Sequence, residues 1–122
     1  MDSQLQQQLL TEGRNFNLRI SPSTFERLDQ YVEQFFRYRP ARDQLVIQTY
    51  LGQAALRIAK AEGKNVVEAE DVKAAVWLFH LPEHPDDPCA AAGDRAISEE
   101  NKRGIYSRGI LTESFRDFLN RH

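Results

Sequence analysis

The chain lacks most of the features that would assign it a chemistry. It has one cysteine, Cys89, among 122 residues. A single thiol cannot close an internal disulfide, so the fold must rest on its core, and a reducing compartment is the simpler setting. No apolar run approaches the roughly 18 residues of a membrane span. The opening MDSQLQQQLLTEGR lacks the basic start and apolar stretch of a signal peptide. The expected location is intracellular, in a nucleoid or cytoplasm or in a nucleus. An excess of one charge is also missing, because 16 Lys/Arg face 18 Asp/Glu for a net of -2. Proteins that coat nucleic acid are normally basic, so bulk charge argues against coating. There is no GxxxxGK[ST] phosphate loop, no tight CxxC and no HExxH. No internal repeat is evident either.

The length fits one domain, and 41% hydrophobic residues are enough for a core without a metal or cofactor. Charge is unevenly spread. Residues 1–64 carry nine Lys/Arg and seven Asp/Glu, while residues 65–122 carry seven and eleven. A mildly basic first half leaves room for a local cationic face on an acidic protein.

Hydrophobic periodicity predicts an all-α protein. Residues 1–20, Gln-rich with scattered Leu5, Leu9, Leu10, Phe16, Leu18 and Ile20, read as an N-terminal arm or weak helix that packs late. Ser21-Pro22-Ser23 is a helix start, and Ser23 with Glu26 has capping-box spacing. Phe25, Leu28, Val32, Phe35 and Phe36 then follow helical spacing up to about Arg39, where Pro40 stops the helix. A second helix is predicted over 40–62. Ten of its fifteen positions between Leu45 and Ala59 are apolar, so it must be contacted from several sides. Gly63 closes it. Val66-Val67 reads as a short extended piece, and a third helix runs over 69–80. Three of the five prolines fall in 81–97, a linker; a helical extension is predicted over 98–122.

The segment AKAEGKNVVEAEDVKAAV, residues 59–76, resembles the end of the histone fold as seen in archaeal histones. Gly63, Lys64, Val67, Ala69, Glu70, Asp71 and Val72 match position by position. The resemblance implies a histone-fold-like helix–long helix–helix core over 21–80, and a structural clamp between Lys64 and Asp71 at the start of the third helix. It also implies pairing, as a homodimer or with a histone-fold heterodimer partner. The chain departs from that family at Asn65, Val66 and Glu68, where archaeal histones carry basic and hydroxylic residues that touch phosphates. Its first connection, RYRPARD, also has no histone-like β segment. The same segment is similar to the C-terminal lid domain of MoxR-like AAA+ ATPases, which also has a helix, a Gly-basic pair, a Val segment and a Glu-Asp-Val helix.

Two surfaces follow as candidates. Arg37, Arg39 and Arg42 cluster with Tyr38 at the first helix–helix connection. In a histone pair this loop lies beside the second connection of the other subunit, so Lys64 would join them, with Arg19 and Arg14 adding to the face. Arginines there would hold double-stranded DNA by phosphate contacts without sequence choice. The alternative is a solvated loop whose arginines pair with Asp43 and Glu33. The second surface is the stripe Ile47, Leu51, Ala54, Ala55 and Ile58 on the central helix, expected to be a dimer interface unless the chain's own ends cover it. His80, His84 and Cys89, near Asp86 and Asp87, have metal-ligand chemistry, but Pro82 interrupts their spacing. No metal site, catalytic site, cofactor or small-molecule substrate is expected, and Trp77 and Phe79 read as core or partner-contact residues rather than a base-stacking platform. The two functions weighed are a dimeric DNA-binding architectural protein and a protein-interaction module, histone-like or AAA+-lid-like, that does not bind DNA.

Overall fold

The computed structural model describes residues 1–79 and 117–118. The elements are α1 (Ser3–Asn15), β1 (Arg19–Ile20), α2 (Pro22–Phe35), α3 (Ala41–Ala61), β2 (Val66–Val67) and α4 (Ala69–Leu78). The described residues are thus mostly helical. The predicted linker and nearly all of the predicted C-terminal extension lie outside them, as do His80, His84 and Cys89. Residues 117–118 are helical, and Phe118 is partly buried against the core.

Of the two readings of the first twenty residues, a helix is what most of them form. Asp2 caps α1, its carboxylate accepting the Leu5 N–H at 3.0 Å. Leu5 and Leu9, one turn apart, are buried. Leu9 reaches α3 at Gly52, where a Cβ would lie 2.8 Å from Leu9 Cδ1. The glycine lets the two helices approach closely. Asn17 ends the helix in a left-handed conformation (φ 57). The Leu18 N–H donates to Gly13 O and the Asn17 N–H to Arg14 O, the pattern of a Schellman motif.

The same device recurs after α3. Gly63 has φ 70, the Lys64 N–H donates to Ala59 O, and the Gly63 N–H donates to Lys60 O. Each Schellman turn feeds a two-residue strand, and each strand feeds a helix. The strands pair in parallel, Arg19 with Val66 and Ile20 with Val67. The chain therefore contains a helix–turn–strand–helix unit twice, a repeat that the residue identities hide.

At the start of α2 the expected Ser23–Glu26 capping box is absent. Ser21 is the N-cap, with Pro22 at the first helical position. The Thr24 hydroxyl instead donates to Val67 O at 2.9 Å, tying α2 to β2. α2 ends at Phe35, four residues before the expected stop, because Phe36 (φ -131) already turns the chain. The rule about residues preceding proline sets only the latest possible end.

α3 is the central helix, contacting α1, α2 and α4. Its predicted interface stripe Ile47, Leu51, Ala54, Ala55 and Ile58 is at 0% exposure in the single chain. The stripe expected at a dimer interface is part of the chain's own core. It meets Leu28 and Val32 of α2, Leu9 of α1, and Val72, Ala75 and Val76 of α4 within one apolar cluster. Trp77 and Phe79 pack against that cluster half-buried. No helix among the described residues is long and apolar enough to cross a membrane.

Candidate functional site

Lys64 sits in the turn between α3 and β2, opposite the first turn of α4. Its Nζ lies 2.7 Å from Glu70 Oε1, 2.9 Å from Asp71 Oδ2 and 3.6 Å from Glu68 Oε2. Asp71 is fully buried, and its Oδ2 also accepts the Glu68 N–H at 2.9 Å. That bond is the return half of a capping box, which α4 has and α2 lacks. Burial alone would lower the Lys64 pKa. Hydrogen bonds to Glu70 and Asp71, together with their charges, outweigh it and hold the group above its ordinary 10.5. The Lys64–Asp71 clamp is therefore present. Three carboxylates thus surround the Lys64 ammonium.

Arg19 is exposed on β1, and its backbone N–H donates to Asn65 O. It stands at the strand end of the molecule beside Lys64. Arg37, Arg39 and Arg42 stand at the other end of α2, whose 14 residues span about 20 Å at about 1.5 Å each. Within one chain Arg19 and Lys64 thus stand near one end of α2 and Arg37, Arg39 and Arg42 at the other, while Arg14 is exposed in the last turn of α1. β2 pairs in parallel with β1 of the same chain.

The corner between α2 and α3, residues 36–40, is built on aromatic rings. Tyr31 packs against Phe35 (centroids 4.9 Å) and Phe36 (5.8 Å), and Phe36 against Tyr38 (6.3 Å). The Arg39 guanidinium lies 5.7 Å from the Phe36 ring centroid and 5.8 Å from that of Tyr38. It is a half-buried cation held by aromatic faces. The Gln44 side chain donates to Arg39 O at 2.9 Å and Arg37 O at 3.4 Å. These bonds fix the corner against the first turn of α3.

What projects from this rigid base is Arg37, Tyr38, Arg42 and Leu45. Tyr38 is 73% exposed and Leu45 36%, the two exposed large hydrophobic residues among the described ones. The Arg42 side chain is 85% exposed, and its Nε reaches Asp43 Oδ1 only at 3.9 Å. Arg42 also lies in the first turn of α3, where the helix dipole disfavours a cation. The buried Asp43 beside it is the favourable charge there. Leu45 follows Arg42 by three residues and shares its face of α3. Sequence reasoning found the arginines by their clustering but not Leu45, which reads as one more core leucine in an apolar helix.

A shallow cleft of about 230 Å³ lies between α1 and α3, lined by Glu12, Asn15, Phe16, Gln53 and Arg57. Its polar groups are largely tied to one another. Glu12 accepts from Gln53 at 3.1 Å, and Arg57 donates to Gln53 O at 3.4 Å. No cluster of three or more His, Cys, Asp or Glu suited to a metal ion occurs among the described residues.

No protein-family model, curated protein or solved structure matches this chain.

Proposed function

We propose that the chain is a self-contained protein-interaction module, closer in plan to an AAA+ lid than to a histone, and that it works as one chain rather than as a histone-type pair. One observation carries this reading. The surface a histone unit gives to its partner is here covered internally, with Ile47, Leu51, Ala54, Ala55 and Ile58 at 0% exposure. A unit that has already buried its apolar stripe gains nothing from pairing through it. The intrachain β1–β2 pair has the same effect on the backbone hydrogen bonds of the second connection. The Gly63-Lys64 pair, the Val66-Val67 strand and the Glu70-Asp71-Val72 helix start keep the lid-like order within one chain.

DNA binding is the second reading, and it rests on Arg37, Arg39 and Arg42 at one corner. Arg39 is committed to Phe36 and Tyr38. Lys64 is neutralised and Arg19 lies about 20 Å away across the length of α2. Two or three phosphate contacts give a shallow salt dependence and little affinity.

Light scattering and a mobility-shift titration on the same sample test the proposal. The module reading expects the mass of one chain at about 50 μM, and no retardation of a short duplex at about 50 mM salt below about 10 μM protein. A dimer that shifts DNA at low salt and releases it at about 200 mM would overturn it and restore the histone-like reading.

A further inference from the structure

We infer that the α2–α3 corner is the docking site of this module, and that its partner is an acidic protein segment carrying an apolar anchor. The inference rests on the module reading above and names the partner's chemistry. Three observations converge on residues 37–45. First, the corner's charge is positive. Arg37, Arg39 and Arg42 stand there on a protein of net charge -2, and the one acid among residues 37–45, Asp43, is buried. Second, the exposed large hydrophobic residues of the described chain, Tyr38 and Leu45, are at this corner and not scattered. Tyrosine and arginine around a small apolar centre make up the usual composition of interface hot spots. Third, the base is stiff. The tilted pair of Tyr31 and Phe36, the Arg39 guanidinium over the Phe36 ring and the Gln44 bonds hold the backbone before any partner arrives, so little ordering cost is left to binding.

The two solvent-facing arginines select against cations and recruit carboxylates. Arg37 precedes Tyr38 and Arg42 lies between Tyr38 and Leu45, so cationic and apolar side chains alternate along the corner. A matching segment therefore places a leucine or aromatic side chain against Tyr38 and Leu45, with Asp or Glu interleaved between them. DNA offers the charge but has no comparable apolar anchor, so Tyr38 and Leu45 favour the peptide.

The test uses the full chain and a fluorescein-labelled 20-residue peptide of Asp and Glu interrupted by two leucines and a tryptophan. It is compared with the same peptide bearing serine at those three positions and with a labelled 20-base-pair duplex. Anisotropy is read at about 50 mM salt. The expected result is saturable binding of the first peptide in the tens-of-micromolar range and at least about tenfold weaker binding of the serine peptide. Arg37→Glu with Arg42→Glu should remove binding, and Tyr38→Ala or Leu45→Ser should each weaken it about fivefold. Leu45 is 36% exposed against 73% for Tyr38, so circular dichroism is read on every variant and only those that keep the parent's helical signal are compared. The inference is overturned if neither peptide binds, if the serine peptide binds equally well, if the duplex binds more tightly than the peptide, or if the Tyr38 and Leu45 variants bind like the parent. Light scattering on the same samples separates the two failures. A monomer that ignores the peptide sinks this site alone, whereas a DNA-binding dimer sinks the module reading with it.

Discussion

Replacing Lys64 with methionine keeps most of the side-chain stem and removes the ammonium alone. The consequence falls on Asp71, a carboxylate with no exposure whose partners include Nζ at 2.9 Å and the Glu68 N–H at 2.9 Å. Removing one partner of a buried ion pair costs about 3–5 kcal/mol, because the other charge is left in a poor solvent. Here the cost is discounted, since the Lys64 side chain is 21% exposed and Asp71 keeps its backbone donor. Glu68 and Glu70 are exposed enough that their share is that of surface pairs. The expected loss is about 2–3 kcal/mol. It would be read as a fall of about 1–2 M in the urea midpoint or about 10 °C in Tm. The pH dependence gives a second, independent check. The Lys64 pKa is raised on folding. Its contribution is therefore complete below the unfolded value of 10.5 and is lost as pH rises through the still higher folded value. The gap between parent and variant should hold steady from about pH 7 to about pH 10 and close above that. A gap under about 0.5 kcal/mol at neutral pH would refute the argument, since that is the scale of a surface pair. A gap that persists undiminished at about pH 12 would assign the effect to packing instead.

Gly52→Val should cost about 2–3 kcal/mol by driving the new side chain into Leu9, since even a Cβ lies 2.8 Å from Leu9 Cδ1. Adding Leu9→Ala should recover part of that loss, giving a coupling of at least about 0.5 kcal/mol in chemical denaturation. Thr24→Val removes the hydroxyl that donates to Val67 O. It should cost about 1 kcal/mol and speed amide exchange at Ser21, whose N–H donates to Val67 O. Asn17→Gly should stabilise slightly and Gly63→Ala should destabilise by about 1 kcal/mol, because both positions hold left-handed backbone (φ 57 and 70). Equal melting temperatures for parent and Gly63→Ala would contradict the assignment of that turn.

What was legible in the sequence was local. The central helix, the Gly63 stop, the Val66-Val67 strand and the Lys64–Asp71 pairing depend on residues within a few positions of one another, and each is present. What was hidden depends on distant partners. α1 is Gln-rich with only Leu5, Leu9 and Gly13 buried, too narrow a stripe to read as a packed helix until Gly52 on α3 is known to receive it. β1 has two residues and no strand signature beyond its pairing with β2. The α3 stripe was legible as buried, but whether a second chain or α1, α2 and α4 bury it is a question of topology, and composition does not answer that. At the corner, the arginines were visible as a cluster. That Arg39 is spent on Phe36 and Tyr38 while Arg37 and Arg42 are not follows only from the path of the loop.

The β1–β2 pair joins positions about 47 residues apart, so it clasps α2 and α3 into a closed ring. Closing a ring of that length costs roughly 3 kcal/mol of chain entropy before any contact repays it. Helical pairs joined by short connections make only local contacts, so the clasp is expected to shut after them, and its backbone bonds should form late in a pulsed hydrogen-exchange experiment. α1 hangs outside the ring, anchored chiefly by Leu5 and Leu9. It is the piece with least to lose by letting go, and hydrogen exchange should release its amides well before those of α3. Release of α1 would bare the Gly52 side of α3 to solvent while leaving the ring shut. The apolar stripe of α3 is thus covered on one side by the helix with the fewest buried residues of its own.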